Sequence, residues 1–155
     1  MIKKIIAGIF VLFILLLFMG GDDGSESSPG IDIDDWKPVD DSTSSEYRAQ
    51  SMKIYETLAF SGFEKASVKV TDDYVFMAYD QPPVRSQVDS LLSWFYMMGT
   101  AAELAPHTEK ILIQMYSDEE PLYEVEAYTT DVQSLLNYEI DMDELRSKVV
   151  VKSIV

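Results

Sequence analysis

Hydrophobic and polar positions divide the chain into three stretches. Ile5 to Met19 is an unbroken apolar run, extended by Gly20 and Gly21 and ended by Asp22 and Asp23. As a helix, the 17 residues Ile5–Gly21 span about 25 Å at ~1.5 Å per residue, near the short limit for crossing a bilayer. From Asp22 to Ser45 only scattered apolar residues stand among Gly, Ser, Pro and Asp, a composition that cannot build a core. From Glu46 onward apolar residues recur at regular spacing, so residues 46–155 are expected to form one folded domain.

Within that domain the spacing predicts an α+β fold of order α-β-β-α-β-β-α-β. Thr43 and Glu46 have the spacing of a capping box, and Tyr47, Ile54, Tyr55 and Leu58 share a helical face until Gly62 offers a stop. Ala66, Val68 and Val70 alternate with polar residues, Asp72 and Asp73 supply a turn, and Tyr74–Tyr79 is wholly apolar, which together read as a hairpin. Pro83 suits the first turn of a long helix that Pro106 ends. Lys110–Tyr116 and Leu122–Tyr128 alternate across a Ser117–Pro121 turn and form a second hairpin. Thr130 and Gln133 cap a short helix carrying Val132, Leu135 and Leu136, Asp141 and Glu144 cap one more turn, and Val149–Ile154 is strand-like. Alternating strands expose one sheet face more than the other, so a single two-layer domain with a mostly antiparallel sheet is expected.

Two patterns suggest binding surfaces. On the long helix, Val84, Val88, Leu91, Leu92, Phe95, Met98 and Ala102 form the expected core stripe, while Trp94, Met97, Ala101 and Ala105 lie on an adjoining face and Tyr96 on the other flank. A helix apolar around most of its circumference is either sandwiched or presents an interface, which makes Trp94 and Met97 a candidate oligomer face. In the second hairpin, if Ile111, Ile113, Val125 and Ala127 face the core, then Leu112, Tyr116, Leu122 and Tyr128 share the opposite face with Gln114, Glu124 and Glu126. Amphipathic tyrosines among acids suit a protein partner or a cationic ligand, so Leu112, Tyr116, Leu122 and Tyr128 are candidate partner-binding residues.

Charge adds the direction in which the chain faces. Lys3 and Lys4 precede the apolar run and acids follow it, which places the amino terminus in the cytoplasm and the remainder outside, whether residues 1–21 are a retained anchor or a cleaved signal. The absence of small residues at a cut site, with Phe18 and Met19 in their place, favours a retained single-pass anchor. Residues 22–45 hold eight acids and one base, Lys37, and read as an extended, disordered acidic tether. Asp32, Asp34 and Asp35 do not make a calcium loop, because Lys37 stands where the turn Gly belongs and Thr43 where the bidentate Glu belongs. The whole chain carries 12 basic and 27 acidic residues, a net charge of −15. A phosphate backbone would be repelled, so no nucleic acid partner is expected. The same acidity fits a high-salt setting or simple solubility.

Candidate chemistry is sparse. The chain has no cysteine and one histidine, His107, which removes thiol nucleophiles, iron–sulfur clusters and zinc sites needing several Cys or His ligands. No metal or other cofactor is expected. Glycine in the domain occurs only at Gly62 and Gly99, so there is no phosphate cradle. The pairs Glu119–Glu120 and Glu124–Glu126 could serve acid–base chemistry but read as solvated surface, and the methionines read as core filling. The expectation is a membrane-anchored, extracytoplasmic, non-catalytic interaction module, with a protein partner or self-association. A carboxylate-dependent extracytoplasmic enzyme and a subunit of a surface assembly are the alternatives.

Overall fold

The computed structural model describes residues 36–80 and 87–154. The leader, the calcium-loop candidates and the Pro83 start of the long helix lie outside the described residues. The elements run α1 (Arg48–Phe60), β1 (Ala66–Val70), β2 (Tyr74–Asp80), α2 (Gln87–Leu104), β3 (Lys110–Ser117), β4 (Glu120–Tyr128), α3 (Thr129–Leu136), α4 (Met142–Lys148) and β5 (Val150–Ser153). This is an α+β fold. The carboxyl-terminal part holds two short helices, α3 and α4, where the pattern gave one helix and a further capped turn.

The five strands lie in sequence order, β1-β2-β3-β4-β5. Three neighbouring pairs are antiparallel, but β2 and β3 are parallel, with Val75 opposite Ile111 and Tyr79 opposite Met115. The sheet is therefore mixed. Two hairpins joined through a helix must pair this way when the helix carries the chain back along the sheet before β3 begins. The strand ends consequently fall into two groups. Ala66, Tyr79, Asp80 and Tyr116 lie at one end, and Val70, Tyr74, Lys110 and Tyr128 at the other.

Alternation decides what each face buries. Val68, Val75, Met77, Tyr79, Ile111, Ile113, Met115, Val125 and Ala127 join the main core with Ile54 and Leu58 of α1 and Leu145 of α4. Fully burying one Ile or Leu contributes roughly 1.5–3 kcal/mol. From α2 this core takes Leu91, Trp94, Met97, Met98, Ala101, Ala102 and Ala105, while Leu92 is exposed. The buried face is thus turned toward the set expected to adjoin it. α2 is flanked by α1 and α3 and also packs on β3, so burial extends around its sides.

Local chemistry sets the boundaries. The Thr43–Glu46 capping box does not form: α1 begins at Arg48, and Tyr47 at its N-cap makes no side-chain cap. The backbone just upstream is drawn into a turn on Asp40, with Asp40 Oδ1 accepting from Ser42 N at 2.8 Å and Thr43 N donating to Asp40 O at 3.0 Å, which leaves Thr43 Oγ1 buried and without a hydrogen-bond partner among the described residues. Asp141 does cap α4, its Oδ1 accepting from Glu144 N at 2.8 Å. Helices α1 and α3 end in the same motif. Phe63 N donates to Leu58 O and Gly62 N to Ala59 O, both at 3.0 Å, and Glu139 N donates to Ser134 O at 2.8 Å with Tyr138 N to Leu135 O at 3.0 Å. The left-handed position is Gly62 (φ 103°) in the first and Tyr138 (φ 60°) in the second. The β3–β4 hairpin closes on Asp118 (φ 50°) and Glu119 (φ 67°), shorter than the expected Ser117–Pro121 turn and with the positive pair typical of two-residue loops.

Candidate interaction surface

On the sheet face away from the helices, Phe76, Ala78, Leu112 and Tyr116 form a second, smaller apolar cluster. Leu112 and Tyr116 therefore share that face as their alternation predicts, but both are buried. Trp36 and Tyr74 pack against the cluster. The Trp36 ring meets Tyr116 edge-on at 5.5 Å between centroids, and Lys65 Nζ lies 6.0 Å from its centre. Lys65 also pairs with Asp80 Oδ2 at 3.2 Å.

Trp36 is delivered by a short strap. Val68 N donates to Pro38 O at 3.0 Å and Asp40 N to Val68 O at 3.2 Å, so Val39 makes a parallel bridge to Val68 along the β1 edge. This edge would otherwise offer unpaired backbone groups. Residues 36–40 were expected within the acidic tether; the structure fastens them to the domain. Their apolar members, Trp36, Pro38 and Val39, are the signal that could have revealed it. Beyond Trp36 (φ 45°), a left-handed conformation uncommon for a bulky residue, lies the rest of the tether.

The other end of this face is open. Tyr128 is 43% exposed and stands opposite Lys110. Lys110 Nζ lies 5.3 Å from the Tyr128 ring centre and donates to Glu126 Oε1 at 2.8 Å. The Glu126 hydrogen bond and charge hold the Lys110 ammonium above its ordinary pKa, against a smaller opposing effect of burial. Burial likewise raises the Tyr116 hydroxyl.

Other singled-out residues are dispersed. Leu122 does not share this face but packs against the main core. The register shifts between Met115 and Tyr116, so Tyr116 faces Pro121 while Met115 faces Tyr123, and Leu122 is the extra residue of a bulge. Alternation read straight through the strand misplaces it for that reason. Trp94 and Met97 are buried, Trp94 meeting Tyr123 at 5.8 Å, so they are core and present no surface to a second copy. His107 stacks on Tyr47 at 5.1 Å and its Nε2 lies 3.0 Å from Thr71 O. Tyr47 Oη donates to Asp72 Oδ1 at 2.5 Å, and that bond is the main reason its pKa is pushed up to about 12.

Among the described residues, no helix is long and apolar enough to cross a membrane. No family model, curated protein or solved structure matches the chain.

Proposed function

We propose that the chain is a membrane-anchored interaction module whose folded domain works outside the cytoplasm without catalysing a reaction. The reading rests on the apolar run Ile5–Met19, lysines on one flank and acids on the other, joined through an acidic spacer to a domain. Supporting the binding role is the open end of the outer sheet face, where Tyr128 offers an amphipathic ring beside Lys110, Glu126 and Glu124. Leu112, opposite Glu126, continues this face as an apolar floor toward Tyr116 at the far end, where Trp36 covers it. A protein partner with an apolar side chain for the tyrosine and a base for the glutamates fits this surface.

A photoreactive aromatic residue placed at Tyr128 in the full-length protein tests the reading. Irradiation of intact membranes should yield one discrete crosslinked species, absent when the photoreactive residue is placed instead at the solvent-facing Glu56. Identical, diffuse products from both positions would refute a binding role for this face.

A further inference from the structure

We propose that the end of the domain receiving the tether seats on the lipid surface itself, inserting Phe60, Leu92 and Tyr96 at the boundary between headgroups and acyl chains. The inference rests on Ile5–Gly21 being a retained anchor, and deepens that reading by giving the domain an orientation on the membrane.

The tether arrives at one end of the sheet. Trp36 packs on Tyr116 and lies close to Lys65, at the end of the sheet marked by Ala66, Tyr79 and Asp80. α1 finishes at this same end. Just beyond it Phe63 meets Tyr79 at 5.7 Å and stacks on Tyr96 at 6.2 Å, and Ser61 Oγ donates to Tyr96 Oη at 2.6 Å. Leu92 stands one helical turn before Tyr96 on the same side of α2, toward this end.

These side chains are unusually open. Phe60 is 95% exposed, Leu92 47% and Tyr96 40%. From Ser90 to Ala102 the sequence of α2 has no charged residue, although a quarter of the chain is charged, at 25%. An uncharged outward helix face beside a projecting phenylalanine is an apolar patch that ordinary solubility does not explain. Tyrosine, with an apolar ring and a polar tip, suits the headgroup level.

Tether length brings this end to the bilayer. Residues 22–35 number 14, which span between about 20 Å as a coil and about 50 Å fully drawn out. A domain of this size is about 35 Å across, so a tether at its coil length is shorter than the domain and holds the end carrying Trp36 closest to the lipid. Three side chains alone bind a surface weakly, but a short tether raises their effective concentration to roughly millimolar, and weak insertion then suffices.

Charge selects both the lipid and the occupant. Exposed Glu64, Asp118, Glu119 and Glu120 share this end with Lys65, so an anionic surface is repelled and a zwitterionic one preferred. A second copy of the chain would set the same acids against each other. Phe60, 95% exposed, stands out from the rest of the patch, which suits a fluid apolar medium that needs no matching pocket.

The cysteine-free sequence permits a clean test on the full chain in phosphatidylcholine vesicles. A nitroxide at Glu64→Cys should collide severalfold more with dissolved oxygen, relative to a water-soluble nickel complex, than one at Glu109→Cys at the opposite end. The preference should disappear with Phe60→Ser and Leu92→Ser together, changes at exposed positions that leave the core intact. It should weaken when anionic lipid is mixed in at low salt and recover as salt is added. Equal water exposure at both labels overturns the proposal, as does shielding at position 64 accompanied by spin–spin broadening that unlabelled protein dilutes away, which would mean self-association. Failure of the underlying reading is distinguishable, because the mass of the chain isolated from its cells would then lack the leader.

Discussion

Tyr138 occupies a backbone position that glycine occupies in the equivalent motif at the end of α1. Its side chain is 95% exposed, so replacing it removes almost no packing. Tyr138→Gly relieves about 1–2 kcal/mol of left-handed strain, and the more flexible unfolded chain returns about 0.5–1 kcal/mol of that. The net expectation is a gain of about 0.5–1 kcal/mol, or about 2–5 °C in Tm for a domain of this size. The mirror experiment is Gly62→Ala, where nothing lies within 4 Å of the added Cβ; the conformation alone should cost about 1 kcal/mol. Urea unfolding of both variants, read by circular dichroism, should move the midpoints in opposite directions with unchanged slopes. A lower midpoint for Tyr138→Gly would refute the reasoning, since it would mean that the ring contributes more than its backbone conformation costs.

Further outcomes follow from other local features. Glu119→Gly should stabilise by about 0.5–1 kcal/mol, because Glu119 also holds positive φ in the β3–β4 loop; a loss in thermal unfolding would contradict it. Trp36→Ala should cost about 2 kcal/mol by uncovering the Phe76–Leu112–Tyr116 cluster and should speed hydrogen exchange at the Val68 amide, which donates to Pro38 O; unchanged exchange there would sink the strap assignment. The Tyr47 proton is held more tightly folded than unfolded, so its stabilising contribution is complete below pH ~10 and lost as pH rises through about 12. Tyr47→Phe should therefore shrink the alkaline loss of stability, and a pH profile indistinguishable from that of the parent would exclude the Asp72 bond as a source. Because Tyr79 and Tyr116 are raised by burial as well, part of the loss should remain in that variant.

The sequence makes some of this legible because local signals agree with tertiary demand. Both hairpins follow from strand-like apolar patterns bounded by turn residues, alternating in β1 and β3 and continuously apolar in β2, and the Asp141 cap follows from its spacing to Glu144. Elsewhere the local signal competes with something farther away in the chain. The Thr43–Glu46 spacing suits a cap, but Asp40 draws the neighbouring backbone into its own turn. Apolar residues surround α2, so their pattern cannot say which of them face the sheet; its position between α1 and α3 decides that. A single bulge removes Leu122 from the face that alternation assigns it. The parallel β2–β3 pair depends on the path of α2, which strand patterns do not record. The covered half of the candidate surface was hardest to foresee, because its cover is one tryptophan within an acidic stretch.

The most direct measurement of the account as a whole is protease digestion of sealed cells producing the full-length protein. Cleavage between Asp22 and Asp35 should release the folded domain into the medium while the cells stay closed, leaving the leader in the membrane fraction. A domain that stays uncut until the cells are broken open would contradict it.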